Sequence, residues 1–234
     1  MGLWKSMSVF FLVLMCCSAC SNSDLLSRLT DPSKPWERAQ AINEMHQRSM
    51  EEKRQLVSAL IHKLSARNNY VRQNAAETLG ELDEAADKAA DKAVPFLKKM
   101  AVSDSNRDVA LMAAVSLARM GEDTSQTLGI LIDRLGSKTG GLEGKLNRYS
   151  AANYIGFIAS GSRRPDVRAS VPTLILALQD SDQTVRERAA WALGSAGYQS
   201  EKAVDALKES AWNDSSRNVR SISAWALKQV GTPA

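Results

Sequence analysis

Apolar and small residues return every four positions in several similar stretches of the chain. VRERAAWALG places Val185, Ala189 and Leu193 at its first, fifth and ninth positions. That spacing lays one stripe along a helix. Related strings begin at Glu37 (ERAQAINEM), Val71 (VRQNAAETLG), Val109 (VALMAAVSLA), Asn147 (NRYSAANYIG) and Val219 (VRSISAWALK). Their starts are separated by 34, 38, 38, 38 and 34 residues, and repetition at such a period is the mark of a solenoid.

The segments between the copies carry Leu, Ile, Val or Phe at helical spacing, as in KAVPFLKKM and RASVPTLILALQD. Pro95 and Pro172 fall near the starts of these segments, where a missing N–H costs nothing. Polar runs such as DSDQT and NDSSRN supply turns and N-caps. Each unit is therefore expected to be two antiparallel helices, neither of which buries its stripe alone. The pairs Ala75-Ala76, Ala113-Ala114, Ala151-Ala152 and Ala189-Ala190 let neighbouring second helices approach closely. The tenth position holds Gly80, Gly156 and Gly194, where glycine is expected to close the helix. The expected fold class is all-α: an α-solenoid of about five to six helical hairpins over residues 35–234.

The V-R-x-x-A-A-x-x-L-G string, with Asp104, Asp180 and Asp214 each five residues before the next opening Val, resembles the HEAT-like repeats first recognised in phycobilisome lyases. The resemblance covers residues 35–231. It implies a polar ladder between layers, built from the turn aspartate and the arginine after Val. Arg72, Arg148, Arg186 and Arg220 occupy the arginine position, Ala110 interrupts the row, and Arg107 is a candidate substitute. The resemblance is specific for fold and unspecific for function.

Composition adds limits. Hydrophobic residues at 44% and charged residues at 24% describe a folded body rather than a disordered chain. The net charge of +4 is spread in alternating signs along most segments, which argues against a nucleic-acid partner. Arg163, Arg164 and Arg168 form the clearest basic cluster and read as a solvated loop. All three cysteines fall at Cys16, Cys17 and Cys20, so the rest of the chain holds no disulfide framework, cysteine zinc site or cysteine nucleophile.

Those cysteines close a three-part opening: Lys5 in a polar start, an apolar run from Val9 to Met15, then Ser18 and Ala19 before Cys20. The run is too short to span a bilayer and suits a secretory signal. The segment resembles a bacterial lipoprotein signal peptide, with Ser18, Ala19 and Cys20 matching the end of a lipobox and Cys17 standing where Leu is usual. The resemblance implies a signal peptide over residues 1–19 and lipidation at Cys20 with diacylglycerol and a further acyl chain such as palmitate. It implies a short tether or partial first helix over residues 20–34. By the same resemblance, Ser21 rather than Asp after the cysteine implies the outer membrane, facing the periplasm of a bacterial envelope. Two readings stay open beside it: a plain signal cut after Ala19, and N-myristoylation of the MGLWKS start.

Candidate chemistry is sparse. His46 and His62 stand on different units without a His-Glu pair, and no hydrolase or zincin motif occurs. Asp83, Glu84, Asp87 and Asp91 have the spacing of a solvated helix or loop. The glycine-rich stretch 136–145 fails as a phosphate loop, with Thr139 where Gly is needed and Leu146 after Lys145. Neither a cofactor nor a metal is expected. One row rises above scaffold. The third, seventh and eleventh positions lie opposite the apolar stripe and carry Leu111, Val115, Tyr149, Phe157, Trp191 and Trp225. This row reads either as an aromatic groove for a protein partner or as packing between layers. The expected function is a non-enzymatic, membrane-anchored protein-interaction scaffold. The alternative is a lyase-like enzyme or ligand-delivery accessory using the same groove.

Overall fold

The computed structural model describes residues 22–33, 35–82, 90–122, 124–161 and 163–230. The expected lipidation site Cys20 lies outside them, as do Asp83, Glu84 and Asp87. Two compact units divide between Ala113 and Ala114. The described residues are all-α, and the fold is an α-solenoid of stacked helical pairs. None of the described helices is long and apolar enough to cross a membrane.

In the first unit, residues 22–30 are helical (α1) and bury Leu25 and Leu29 completely. Within the stretch 20–34, left open between helix and tether, residues 22–30 are thus a helix. α2 (Pro35–His46), α3 (Met50–Lys63), α4 (Asn69–Glu81) and α5 (Val94–Ser103) follow. Ser49 and Glu52 form a reciprocal capping box at the start of α3. Arg38 ties three elements together: its Nη1 lies 3.1 Å from Glu77 Oε2, its Nη2 donates to Thr78 Oγ1 at 3.4 Å, and its Nε donates to the Leu29 carbonyl at 3.2 Å. His46 and His62 sit exposed in the last turns of α2 and α3. α6 (Arg107–Arg119) carries the division between the units.

In the second unit, α7 (Thr124–Leu135), α9 (Val171–Ala177) and α11 (Val204–Asn213) alternate with α8 (Gly141–Ala159), α10 (Gln183–Ala196) and α12 (Arg217–Val230). The latter three are the repeated strings, and they stack directly, α8 on α10 on α12. Ala151, Ala152, Ala189, Ala190 and Ala226 are all fully buried. Pro172 stands in the first turn of α9, and Pro95 takes the same place in α5.

The ladder that the family resemblance implies is present within each unit. Arg72 donates to both oxygens of Asp104, with Nε and Nη2 each at 2.8 Å. Arg186 does the same to Asp214, at 2.7 and 3.0 Å, and Arg148 Nε reaches Asp180 at 2.6 Å. Each of these aspartates also accepts from the backbone N–H two residues on, fixing its own turn. Arg72, Arg186 and Arg220 use Nη1 to hold the carbonyl six residues back, at Ala66, Asp180 and Asp214. One guanidinium thus closes its own turn, and in Arg72 and Arg186 it also grips the next. The Arg72 hydrogen bonds hold Asp104 below the usual carboxylate range, and Arg186 does so for Asp214. Arg107 is exposed and is not a rung, so it does not substitute for Ala110. The row lacks both members at that step, because Leu142 stands five residues before Asn147.

α8 departs from its neighbours. α4, α6, α10 and α12 start two residues before the first position of the repeated string, whereas α8 starts six before Asn147. The additional turn absorbs the latter half of the glycine-rich stretch and leaves Leu142 and Leu146 exposed at 70% and 52%. The loop folds back onto this turn. A Cβ on Gly144 would lie 1.8 Å from the Thr139 carbonyl oxygen, which also accepts from Arg148 Nη1 at 3.1 Å. The glycine serves a close approach of two backbones rather than a phosphate.

Candidate partner-binding face

The glycines at the tenth position do not close their helices. Gly156 and Gly194 lie inside α8 and α10, each under the tryptophan of the following layer. A Cβ on Gly156 would stand 2.3 Å from Trp191 Cζ3, and one on Gly194 would stand 2.3 Å from Trp225 Cζ3. The seventh position of one layer therefore packs on the tenth of the layer before. Every other residue type would push the ring away, which is why glycine recurs here.

This geometry sorts the six residues of the expected row. Leu111 and Val115 are buried and offer no surface to a partner, because aliphatic side chains at these positions are drawn into the packing of α6. Phe157 is half-buried beneath Arg119, whose guanidinium lies 4.0 Å from the ring centroid while its Nη1 donates to the Phe157 carbonyl and to Ser160 Oγ. Tyr149 and Trp191 are half-buried, and Trp225 is 39% exposed on the last described helix. The second unit thus brings together Tyr149, Trp191, Phe157 and Trp225 on the face of α8, α10 and α12. Their rings are partly layer-to-layer packing and partly surface.

Two arginines complete the face, and the sequence reading passed over both. Arg188 lies with its guanidinium carbon 5.4 Å from the Tyr149 centroid and 5.9 Å from that of Trp191. These are cation–π distances. Arg119 covers Phe157 in the same way. The available signal was spacing: Arg188 stands three residues before Trp191, so both project on one side of α10. Neighbouring Glu187 has one oxygen, Oε1, buried without a hydrogen-bond partner.

The basic cluster disperses. Arg163 Nη1 donates to the Met120 carbonyl at 2.9 Å, Arg164 takes a left-handed φ of 47°, and Arg168 pairs with Asp166 at 2.6 Å. That pairing lowers the Asp166 carboxyl to about 2. Lys145 and Asp182 pair at 2.7 Å, and the ammonium holds Asp182 well below its ordinary range. Among the described residues no group of three His, Cys, Asp or Glu side chains is placed to hold a metal ion. The face presents aromatic rings and forked guanidinium donors. That set is suited to hydrogen bonding and stacking against a chain.

The family profile described as HEAT repeats matches residues 59–142 and 143–228. No curated protein is similar enough to the chain to count as a match. Among solved structures, an engineered protein from a structural genomics consortium is 20% identical, with a TM-score of 0.50 over 90% of this chain and 98% of its own. A designed armadillo repeat protein in complex with the peptide (KR)4 is 18% identical, with a TM-score of 0.48 over 89% of this chain and 98% of its own. The complex of CpcE and CpcF of phycocyanin lyase from Nostoc sp. PCC7120 is 20% identical, with a TM-score of 0.44 over 73% of this chain and 96% of its own.

Proposed function

The chain belongs to the HEAT-repeat family, and on that premise we propose that it is a non-enzymatic scaffold that binds a protein partner. The binding surface in this reading is the face of α8, α10 and α12. The observation that carries it is the run Tyr149–Arg188–Trp191, continued on α12 by the partly open Trp225. Rings and arginines held in place by packing lose little freedom on binding, and such residues dominate the energetics of protein interfaces. Stacking sets the geometry of this face before any partner arrives.

The opening residues complete the proposal. The signal-like segment ending at Cys20 delivers the chain across the inner membrane and leaves it lipid-anchored, facing the periplasm from the outer membrane. Two or more acyl chains, at about 0.8 kcal/mol per buried methylene, give lasting attachment. α1 begins by residue 22, so an anchor at Cys20 holds the folded body against the lipid surface.

Two measurements test this. Labelling with radioactive palmitate in a bacterial host should mark the wild type and not Cys20→Ala, and equal labelling of both removes the anchor. Co-purification from native membranes should recover one stoichiometric protein with the wild type and with Trp212→Ala, a residue 81% exposed on α11. Trp225→Ala should lose it. Loss by Trp212→Ala with retention by Trp225→Ala moves the interface off this face.

A further inference from the structure

We propose that Arg188 is a carboxylate-reading subsite, and that the partner segment on this face is acidic. The inference rests on the partner-binding reading above and names the chemistry of what is bound.

The first observation is what Arg188 lacks. Most arginines of the repeated strings are committed: Arg72, Arg148 and Arg186 to aspartates, Arg220 to the Asp214 carbonyl, Arg38 to Glu77. Arg188 faces only aromatic rings, and it makes no ion pair among the described residues. A guanidinium held against ring faces keeps its N–H donors in the ring plane's periphery, free for a bidentate acceptor. Cation–π attraction to two rings restricts its direction, so less freedom is lost when a carboxylate arrives.

The second observation is the register. Tyr149 stands at the third position of its string and Arg188 at the fourth of the next, so Arg188 faces back toward α8. Arg119, stacked on Phe157, adds a second cation to the same face. Acidic side chains complement this pair of arginines, whereas a basic segment meets their like charge.

The test uses the detergent-solubilised full chain and a fluorescein-labelled peptide alternating glutamate and alanine, with its glutamine counterpart as control. The wild type should bind the glutamate peptide about tenfold more tightly than the glutamine one, the scale of one charge-assisted bidentate contact. Arg188→Gln should bring the two peptides to within about twofold, and Arg188→Lys should restore only part of the difference, since an ammonium lacks the planar fork. Tyr149→Leu, which leaves the guanidinium but removes its shelf, should weaken the preference and covers the case in which Arg188→Gln is poorly folded. Equal binding of both peptides by the wild type, a preference that survives Arg188→Gln, or no binding of the glutamate peptide overturns the subsite. If both peptides bind alike and both are lost with Trp225→Ala, the subsite is wrong while the face remains the binding surface.

Discussion

Trp191 lies on Gly156 of the preceding layer so closely that a methyl group on that glycine would reach 2.3 Å from the ring. Trp225 repeats the relationship on Gly194. The contact explains two features of the repeated string at once, its glycine and its tryptophan. It also sets the direction of packing in the second unit, since α10 and α12 each place the seventh position on the tenth of the layer before.

Gly156→Ala and Gly194→Ala should each destabilise the second unit by about 1–3 kcal/mol, the usual cost of forcing a methylene into a filled space. Gly129→Ala is the control. Gly129 lies inside α7 with nothing within 4 Å of its would-be Cβ, so it should gain about 0.5–1 kcal/mol from helix propensity alone. Urea unfolding of the three variants checks the signs. Stabilisation by Gly156→Ala would mean that the ring does not sit where described.

Trp191→Ala should cost about 3 kcal/mol, because a large ring leaves a gap between α8 and α10. Trp225→Ala should cost about half as much, since 39% of that residue is already exposed. The two residues share a position in the string and differ in cover, so they separate packing from surface. Equal costs would place both rings in the core and leave only Arg188 and Arg119 to recognise a partner.

The aspartate ladder predicts the response to acid. Asp104 and Asp214 have folded-state pKa values below those of the unfolded chain, so between the two values the unfolded state binds more protons. Their contribution is therefore complete above the unfolded value, about pH 4, and is lost as pH falls through the folded one. Stability should be level from neutral pH to about 4.5 and then fall. Asp214→Asn should be less stable at neutral pH and should flatten part of the acid limb. A wild-type curve that declines already between pH 7 and 5 would point to other groups.

Removing the arginine side of a rung leaves a carboxylate with little access to water. Arg186→Ala should cost about 3 kcal/mol, as expected for breaking a largely buried pair. Arg168→Ala should cost nothing measurable, because its partner Asp166 and its own side chain are both solvent-exposed. The comparison at pH 7 by chemical denaturation tests whether the ladder, rather than arginine in general, carries stability.

Much of this architecture is legible in the sequence because it is periodic. The Val-Ala-Leu stripe, the alanine pairs and the turn aspartates each recur at the repeat spacing, and each recurs for a packing or hydrogen-bonding reason. What escaped reading was direction. A helical wheel places the seventh position opposite the stripe, yet it cannot say that the neighbouring layer covers that position. Gly156 and Gly194 therefore looked like helix ends, and Leu111 and Val115 could be read equally as groove or as packing between layers. Arg188 and Arg119 were passed over because arginine on a helix is ordinarily solvated, and only the stacked rings distinguish these two. The additional turn of α8 was hidden by glycines that read as loop, although Leu142 and Leu146 continue its helical spacing.

The most direct test of the central claim is photo-crosslinking in the native cell, with a photoreactive amino acid placed in turn at Trp225 and at Trp212. If the face of α8, α10 and α12 receives the partner, position 225 yields a discrete adduct with one protein and position 212, on α11, yields none. An adduct from position 212 with none from 225 would contradict the account.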